Sequence, residues 1–282
     1  MSTDCEHGFA GRLRIGTYNI AHGLGEANNV WQVAKKAELL DRLDDIARLL
    51  KGERLDLAVL NEVDVNSFRT RGINQVRYIA RKAGLPFCVG QCHIDVSLGL
   101  VKHRYGNAVL SRHPISQTKR VSFPGHSLWE TVLLGKKAGL LCTITLPDAR
   151  EIRIMAVHLE HRLESKRLEA ANRIEEVRRA FPTPLILAGD FNSTWIDSPP
   201  AMPNKDCQTA ISWLLGSGAY RTLPSGQLLE EDMTCPAPHP TTVIDWILVP
   251  AAWNILSKRV IATTLSDHRP VIMEVEAPGT IR

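Results

Sequence analysis

Ile152-Arg-Ile-Met-Ala-Val-His158 and Leu185-Ile-Leu-Ala-Gly-Asp-Phe-Asn192 are the stretches that decide the fold. The first alternates as a half-buried strand does. Between the two, Glu164 to Ala180 carries Leu168, Ala171, Ile174 and Val177 on one helical face, and Pro182 and Pro184 end it. Leu185 to Ala188 is a short apolar run that reads as a buried strand, with Gly189 and Asp190 behind it. The same order occurs earlier. Leu13 to Ile20 alternates, and Val33 to Leu50 has helical spacing at Val33, Ala37, Leu40, Leu43, Ile46, Ala47 and Leu50, with Gly52 as a stop. Leu57 to Leu60 is again a short apolar run, followed by Asn61 and Glu62. Two strand–helix–strand units each end in an acid. That echo predicts two similar halves packed together, with their acids at one mouth.

Further strands are expected over Ala108–Leu110, Gly139–Leu146, Ile244–Val249 and Val271–Val275. The segments Trp195–Pro203 and Leu223–Pro240, rich in Pro, Ser, Gly and Thr, read as surface loops. No linker divides the chain. The expectation is an α/β fold, a four-layer sandwich of two mixed β-sheets flanked by helices. It forms a single domain over 13–276, with tails at 1–12 and 277–282.

The chain has 282 residues, 44% of them hydrophobic, which suffices for a sizeable core. With 34 basic and 30 acidic residues the net charge is +4, too mild to mean nucleic-acid binding by itself. Met1 to His7 lacks the basic start and apolar run of a secretory signal, and no stretch is long and apolar enough to cross a membrane. A cytoplasmic protein without integral membrane association is the expectation. Cys5, Cys88, Cys92, Cys142, Cys207 and Cys235 are scattered and read as reduced thiols. Cys88, Cys92 and His93 have loose zinc-like spacing, but no second pair completes a site.

Polar residues stand at the strand ends, where α/β folds place ligands. Asn19, Glu62 and His158 close strands, and Asp190 and Asn192 follow one within Gly-Asp-Phe-Asn. Asp245 opens a strand, and Asp267 and His268 precede the last one in Ser-Asp-His-Arg-Pro-Val. Singly, each has a bland reading: a turn or cap for Asn19, Asp190 and Asp267, an exposed acid for Glu62, a pair with a base for Asp245, a core histidine for His158. Six such positions of complementary type point to a shared site.

These segments also carry a family resemblance. Thr17-Tyr18-Asn19-Ile20, Leu60-Asn61-Glu62-Val63, Tyr105 through Arg112, Val157-His158-Leu159, Gly189-Asp190-Phe191-Asn192, Ile244-Asp245-Trp246-Ile247 and Ser266-Asp267-His268-Arg269-Pro270 come in the order of the endonuclease/exonuclease/phosphatase superfamily. The chain resembles that superfamily from residue 13 to residue 275. The resemblance implies the two-sheet sandwich and a Mg²⁺- or Mn²⁺-dependent phosphoester hydrolase. It implies Glu62 as principal metal ligand, with Asn19 and Asp267 on the metal side. Asp190 then positions or deprotonates the attacking water, and Asn192 donates to the phosphate. His268 contacts the phosphate, oriented by Asp245, and His158 takes the second phosphate-facing or leaving-group position. A hard cation on oxygen ligands suits this chemistry, because it offsets phosphate charge and a poor leaving group.

One departure stands out. Asp64 occupies a place where some nuclease members carry a basic residue, and an acid there does not grip a nucleic-acid backbone. Arg69, Arg71 and Arg77 are the candidates to compensate, Arg69 foremost. Asn107, with Tyr105, lines the phosphate pocket or serves the strand entry, and His161 stands where some relatives place a phosphate contact. A nuclease acting on DNA or RNA is the first functional expectation. A lipid, inositol or sugar phosphoesterase is the second. A non-catalytic binding module is a third, disfavoured because Glu62, His158, Asp190 and His268 are all retained. A zinc hydrolase is disfavoured by the mostly oxygen donors.

Overall fold

In the computed structural model, residues 11–26, 33–98, 101–124, 137–197 and 206–278 are described. The first half runs β1 (Arg12–Asn19), α1 (Lys36–Gly52), β2 (Leu57–Asp64), α2 (Gln75–Ala83), β3 (Phe87–Leu98) and β4 (Val101–Ser111). The second runs β5 (Ile115–Ser122), β6 (Ala138–Thr145), β7 (Glu151–His158), α3 (Glu164–Arg179), β8 (Leu185–Asp190), α4 (Ala210–Gly216), β9 (Tyr220–Arg221) and β10 (Asp245–Pro250). Strands β11 (Asn254–Val260) and β12 (Val271–Glu276) return to the first sheet.

Two mixed six-stranded sheets result, in the orders β11-β12-β1-β2-β4-β3 and β5-β6-β7-β8-β10-β9. Each has one parallel pair at its centre, β1 with β2 and β7 with β8. These are the two strand–helix–strand units of the sequence, and the chain has the α/β/β/α layering they imply.

Period-two alternation splits each central strand between two cores. Leu13, Ile15, Leu57 and Val59 face Ile152, Ile154, Ala156, Ile186 and Ala188 between the sheets. The alternate residues Tyr18, Ala58 and Leu60 meet Leu39, Leu43, Ile46 and Leu50 of α1. On the far side Met155, Val157 and Leu187 meet Ala171, Ile174 and Val177 of α3. Both faces of these strands are therefore covered, so β1 and β7, half-buried by their alternation in the sequence, are buried on both sides.

Some boundaries differ from the sequence reading. Helix α1 begins at Lys36, after an extended entry through Val33 and Ala34, and it includes Gly52. The left-handed residue beyond it is Arg54, with φ 50°. Arg12, expected in a tail, starts β1, and Ala277 is buried with its N–H donated to Gly11 at 2.8 Å. The expected surface loop Leu223–Pro240 is partly internal. Thr234 and Ala237 are fully buried, and Asp232 forms a buried ion pair with Lys258 at 2.6 Å. Of the loop Trp195–Pro203, residues 198–203 lie outside the described ones.

Candidate active site

Register gathers the strand-end residues. Parallel pairing sets Asn19 beside Asn61 and His158 beside Asp190, while antiparallel pairing sets Asp245 beside Asp190. In β2, Leu60 pairs with Ala108 and Val63 with Gly106, so Asn61 and Glu62 share the space opposite Asn107. This is a β-bulge, and Glu62 sits in it with φ 53°. A bulge re-aims a side chain; strand β2 thus continues to Asp64 rather than closing at Glu62. Two glycines permit the close approach of backbones here. A Cβ on Gly106 would lie 1.9 Å from the Gln91 carbonyl oxygen, and one on Gly189 (φ 142°) 1.9 Å from that of Val157.

Asn61, fully buried, ties the two sheets together under the site. Its amide nitrogen donates to Asn107 Oδ1 (2.8 Å) and to the Val157 carbonyl (2.9 Å), and its oxygen accepts the Asp190 N–H (2.9 Å). Asn19 donates from Nδ2 to Asp190 Oδ2 at 3.1 Å, and its Oδ1 accepts the Ala21 N–H. Asp190 Oδ1 accepts the Asn192 N–H at 2.8 Å. The Asp190 carboxylate is therefore fixed from both sides. Burial, with the neighbouring Asp245 charge, pushes its pKa up to about 6, against the opposing pull of His268 and Lys137.

His268 faces this carboxylate. Its Nδ1 is 2.8 Å from Asp245 Oδ2 and its Nε2 3.9 Å from Asp190 Oδ2. Burial alone would lower the pKa of the ring, but the Asp245 carboxylate outweighs it and holds His268 well above an ordinary histidine. His158 is the opposite case: burial and the nearby Lys137 charge hold it well below. Its Nε2 lies 3.7 Å from Asp190 Oδ2 and 4.0 Å from Glu62 Oε1. The site thus contains one histidine kept charged and one kept neutral, on either side of a carboxylate poised near 6.

Glu62 and Asp267 form the other wall. Burial and then the Glu62 charge, opposed by His268, raise Asp267. Two partly desolvated carboxylates that repel one another, beside Asn19, are a hard-oxygen donor set that fits a divalent cation. The ligating atoms of Asp190, Asp245 and His268 also lie within 4.8 Å of one another. The short Asp245–His268 hydrogen bond makes that trio first a charge-paired dyad beside an acid.

The remaining sequence candidates are placed less directly. Asn107 uses its amide inside the structure, accepting from Asn61 and donating to the Ala138 and Ala156 carbonyls at 3.4 Å. Asn192 donates from Nδ2 to the Leu159 carbonyl at 3.2 Å. Arg69 is buried with Nε 3.6 Å from Asp64 Oδ2, and Arg71 donates to the Ala34 carbonyl at 2.7 Å. His161 is exposed beside Glu160 and Arg162. Among the described residues no cluster of three possible ligands includes Cys88, Cys92 or His93.

Lys137 and His22 were not signalled by the sequence, and His93 was signalled only through its loose spacing with Cys88 and Cys92. Lys137 lies near Asp190, Glu62 and Glu160, and burial pushes its pKa down to about 8. His93 stacks edge-on to His158 with centroids 6.1 Å apart; burial and the Lys137 charge push it down to about 3. His22 bridges Glu62 and Asp64.

A two-sheet sandwich with carboxylates and histidines converging at matched strand ends defines a hydrolase of the phosphoesterase class. The profile of the Endonuclease/Exonuclease/phosphatase family matches residues 16–268, and the chain belongs to that family. No curated protein matches it. Among solved structures, an endonuclease/exonuclease/phosphatase from Beutenbergia cavernae is similar with a TM-score of 0.69 and 22% identity, over 95% of this chain and 72% of that one. A mannosyl-6-phosphatase from Bacteroides thetaiotaomicron has a TM-score of 0.64 at 16% identity, over 93% and 99% of the two chains. D. rerio TDP2 humanized by 14 mutations has a TM-score of 0.63 at 13%, over 95% and 100%. At these identities the likeness is one of fold.

Proposed function

We propose that this chain is a divalent-cation-dependent phosphodiesterase in which Asp190 takes the proton of the attacking water and His268 and His158 face the phosphate. The observation that carries this is the Asp190 carboxylate, buried and held by the Asn19 side chain and the Asn192 N–H between a charged and a neutral histidine. A base with a pKa near 6 is ionised at neutral pH and still accepts a proton in the transition state. As the water oxygen bonds to phosphorus, its proton passes to Asp190 and the bond to the leaving oxygen breaks. His268, charged and fixed by Asp245, offsets the negative charge gathering on the phosphoryl oxygens. Neutral His158 offers an N–H on the same face. A divalent cation held by Glu62 and Asp267 would supply further charge neutralisation for the phosphate and the leaving oxygen.

Nucleic acid is the first substrate class proposed. A second reading, a small sugar or lipid phosphoester, is favoured by the burial of Arg69 beside Asp64, which takes it from the role of gripping a polyanion. The fold shared with a protein named as a mannosyl-6-phosphatase adds to that second reading. Hydrolysis of plasmid DNA, single-stranded DNA, RNA, sphingomyelin and sugar and inositol phosphates, with Mg²⁺ or Mn²⁺ and with Asp190→Asn as blank, separates the two. Turnover of none of them, or turnover insensitive to EDTA, overturns the proposal.

A further inference from the structure

Asp64 and Tyr105 contact the imidazole of His22, which the mechanism above does not use, and Arg69, Thr70 and Gln75 surround Asp64 in turn. His22 follows β1 in a left-handed conformation, φ 57°. Its Nδ1 lies 2.7 Å from Asp64 Oδ1, and its Nε2 lies 3.2 Å from Glu62 Oε2. Asp64 is fully buried, and its other oxygen accepts from Thr70 Oγ1 at 2.9 Å, with Arg69 Nε at 3.6 Å. Gln75, also fully buried, clamps both partners: its Nε2 donates to the His22 carbonyl at 2.6 Å, and its Oε1 accepts the Asp64 N–H at 2.9 Å. The Tyr105 ring packs edge-on against the imidazole, centroids 4.8 Å apart.

This is how proteins hold a histidine for a metal. A carboxylate at one ring nitrogen fixes the tautomer and the plane, leaving the other nitrogen's lone pair for the ion. Here that other nitrogen points at Glu62, the carboxylate aimed by the β2 bulge. Two donor atoms 3.2 Å apart, one nitrogen and one oxygen, would be close enough to hold one divalent cation in common. Asp64, unhelpful at a nucleic-acid face, acquires a function as the residue that orients His22.

We infer that His22 is a nitrogen ligand to the cation held by Glu62, oriented by Asp64, and that it makes the site a mixed nitrogen–oxygen one that takes Mn²⁺ or Co²⁺ in preference to Mg²⁺. The inference rests on the placement of the cation at Glu62 in the proposed function. An all-oxygen site suits Mg²⁺, while an added imidazole raises affinity along the series from Mn²⁺ to Co²⁺ and does little for Mg²⁺.

The test is metal binding by the full chain, stripped and reloaded, with no substrate present. Mn²⁺ and Mg²⁺ are titrated by calorimetry into wild type, H22Q and E62Q, and the Mn²⁺-loaded proteins are examined by electron spin echo spectroscopy for ¹⁴N modulation from a coordinated imidazole. The expected results are modulation in wild type that survives in H158Q and H268Q and disappears in H22Q. Mn²⁺ affinity should fall about tenfold or more in H22Q, with Mg²⁺ affinity changed less than about threefold. Tight Mn²⁺ binding that E62Q abolishes, but with no ¹⁴N modulation in wild type, overturns the His22 assignment and leaves the Glu62 site standing. Binding unchanged in E62Q overturns the placement of the cation itself. The wild-type spectrum needs no variant, so a failure of H22Q to fold does not shield the inference.

Discussion

Replacing Asp245 by Asn keeps the size of the side chain and an acceptor for His268 Nδ1, but removes the charge. The bond concerned is 2.8 Å long and buried, and burial is the largest influence on His268, acting to lower its pKa. Without the carboxylate, burial prevails and the ring loses its proton at neutral pH. A hydrogen bond to a charged group contributes about 1.5–3 kcal/mol, so losing the charge-assisted part should lower kcat/KM roughly 10- to 150-fold. The pH profile says more than the magnitude. In wild type the active form needs Asp190 ionised and His268 charged, so activity rises through about pH 6 and falls only well above pH 6.5. In D245N the alkaline limb should move down toward the acid limb, narrowing and lowering the bell. Stability follows the same proton: a histidine whose folded pKa is raised contributes stability that is complete below its unfolded value and is lost as pH rises through the folded one. The Tm gap between wild type and D245N should therefore be widest in acid and narrow on the alkaline side. The assay is the rate against pH, from 5 to 10, with a parallel melt at each pH. Superimposable profiles for the two proteins would refute the role given to His268.

The other predictions concern what holds Asp190. Asp190→Asn should abolish turnover yet raise Tm near pH 8. The wild-type carboxyl is pushed from 3.8 to about 6, so its ionised form costs folding stability above that pH, up to about 3 kcal/mol; a lower Tm for the variant would count against this. Asn61→Ala leaves the Asp190 N–H, the Val157 carbonyl and Asn107 Oδ1 without a buried partner, and should cost about 3 kcal/mol or more, roughly 6–12 °C in a thermal melt. An unchanged melt would mean that these groups find other partners. Gly189→Ala puts a Cβ 1.9 Å from the Val157 oxygen and should yield no soluble folded protein; normal expression and a wild-type circular dichroism spectrum would contradict the close approach of β7 and β8.

The architecture was legible where both faces of a strand are covered. Leu57–Leu60 and Leu185–Ala188 stand out as apolar runs because α1 or α3 packs on one side and the opposite sheet on the other. The sheet-edge strands were not. Strand β5 is exposed along most of its length, and Asn254–Val260 of β11 buries little, so their Ser, Lys and Arg residues mask the alternation. The short helices α2 and α4 escaped notice because each is under three turns. At the site, the residues found from sequence stand at the ends of readable strands, so chain order alone brought them together. His22 was missed because what makes it notable is a contact with Asp64, 42 residues away, which no local pattern records. Asn61 was read only as the neighbour of Glu62, since a buried asparagine joining two sheets resembles any strand residue. By sequence Arg69 reads as a substrate-binding cation; only the structure shows the buried Asp64 carboxylate 3.6 Å from its Nε.

In the proposed reaction Asp190 activates a water whose oxygen bonds to phosphorus. Hydrolysis of bis(p-nitrophenyl) phosphate in H₂¹⁸O, by wild type and by Asp190→Asn loaded with Mn²⁺, tests it most directly. One ¹⁸O in the phosphate product, none in the nitrophenol, and no turnover by the variant are expected. Label in the nitrophenol, or turnover by Asp190→Asn at the wild-type rate, would contradict it.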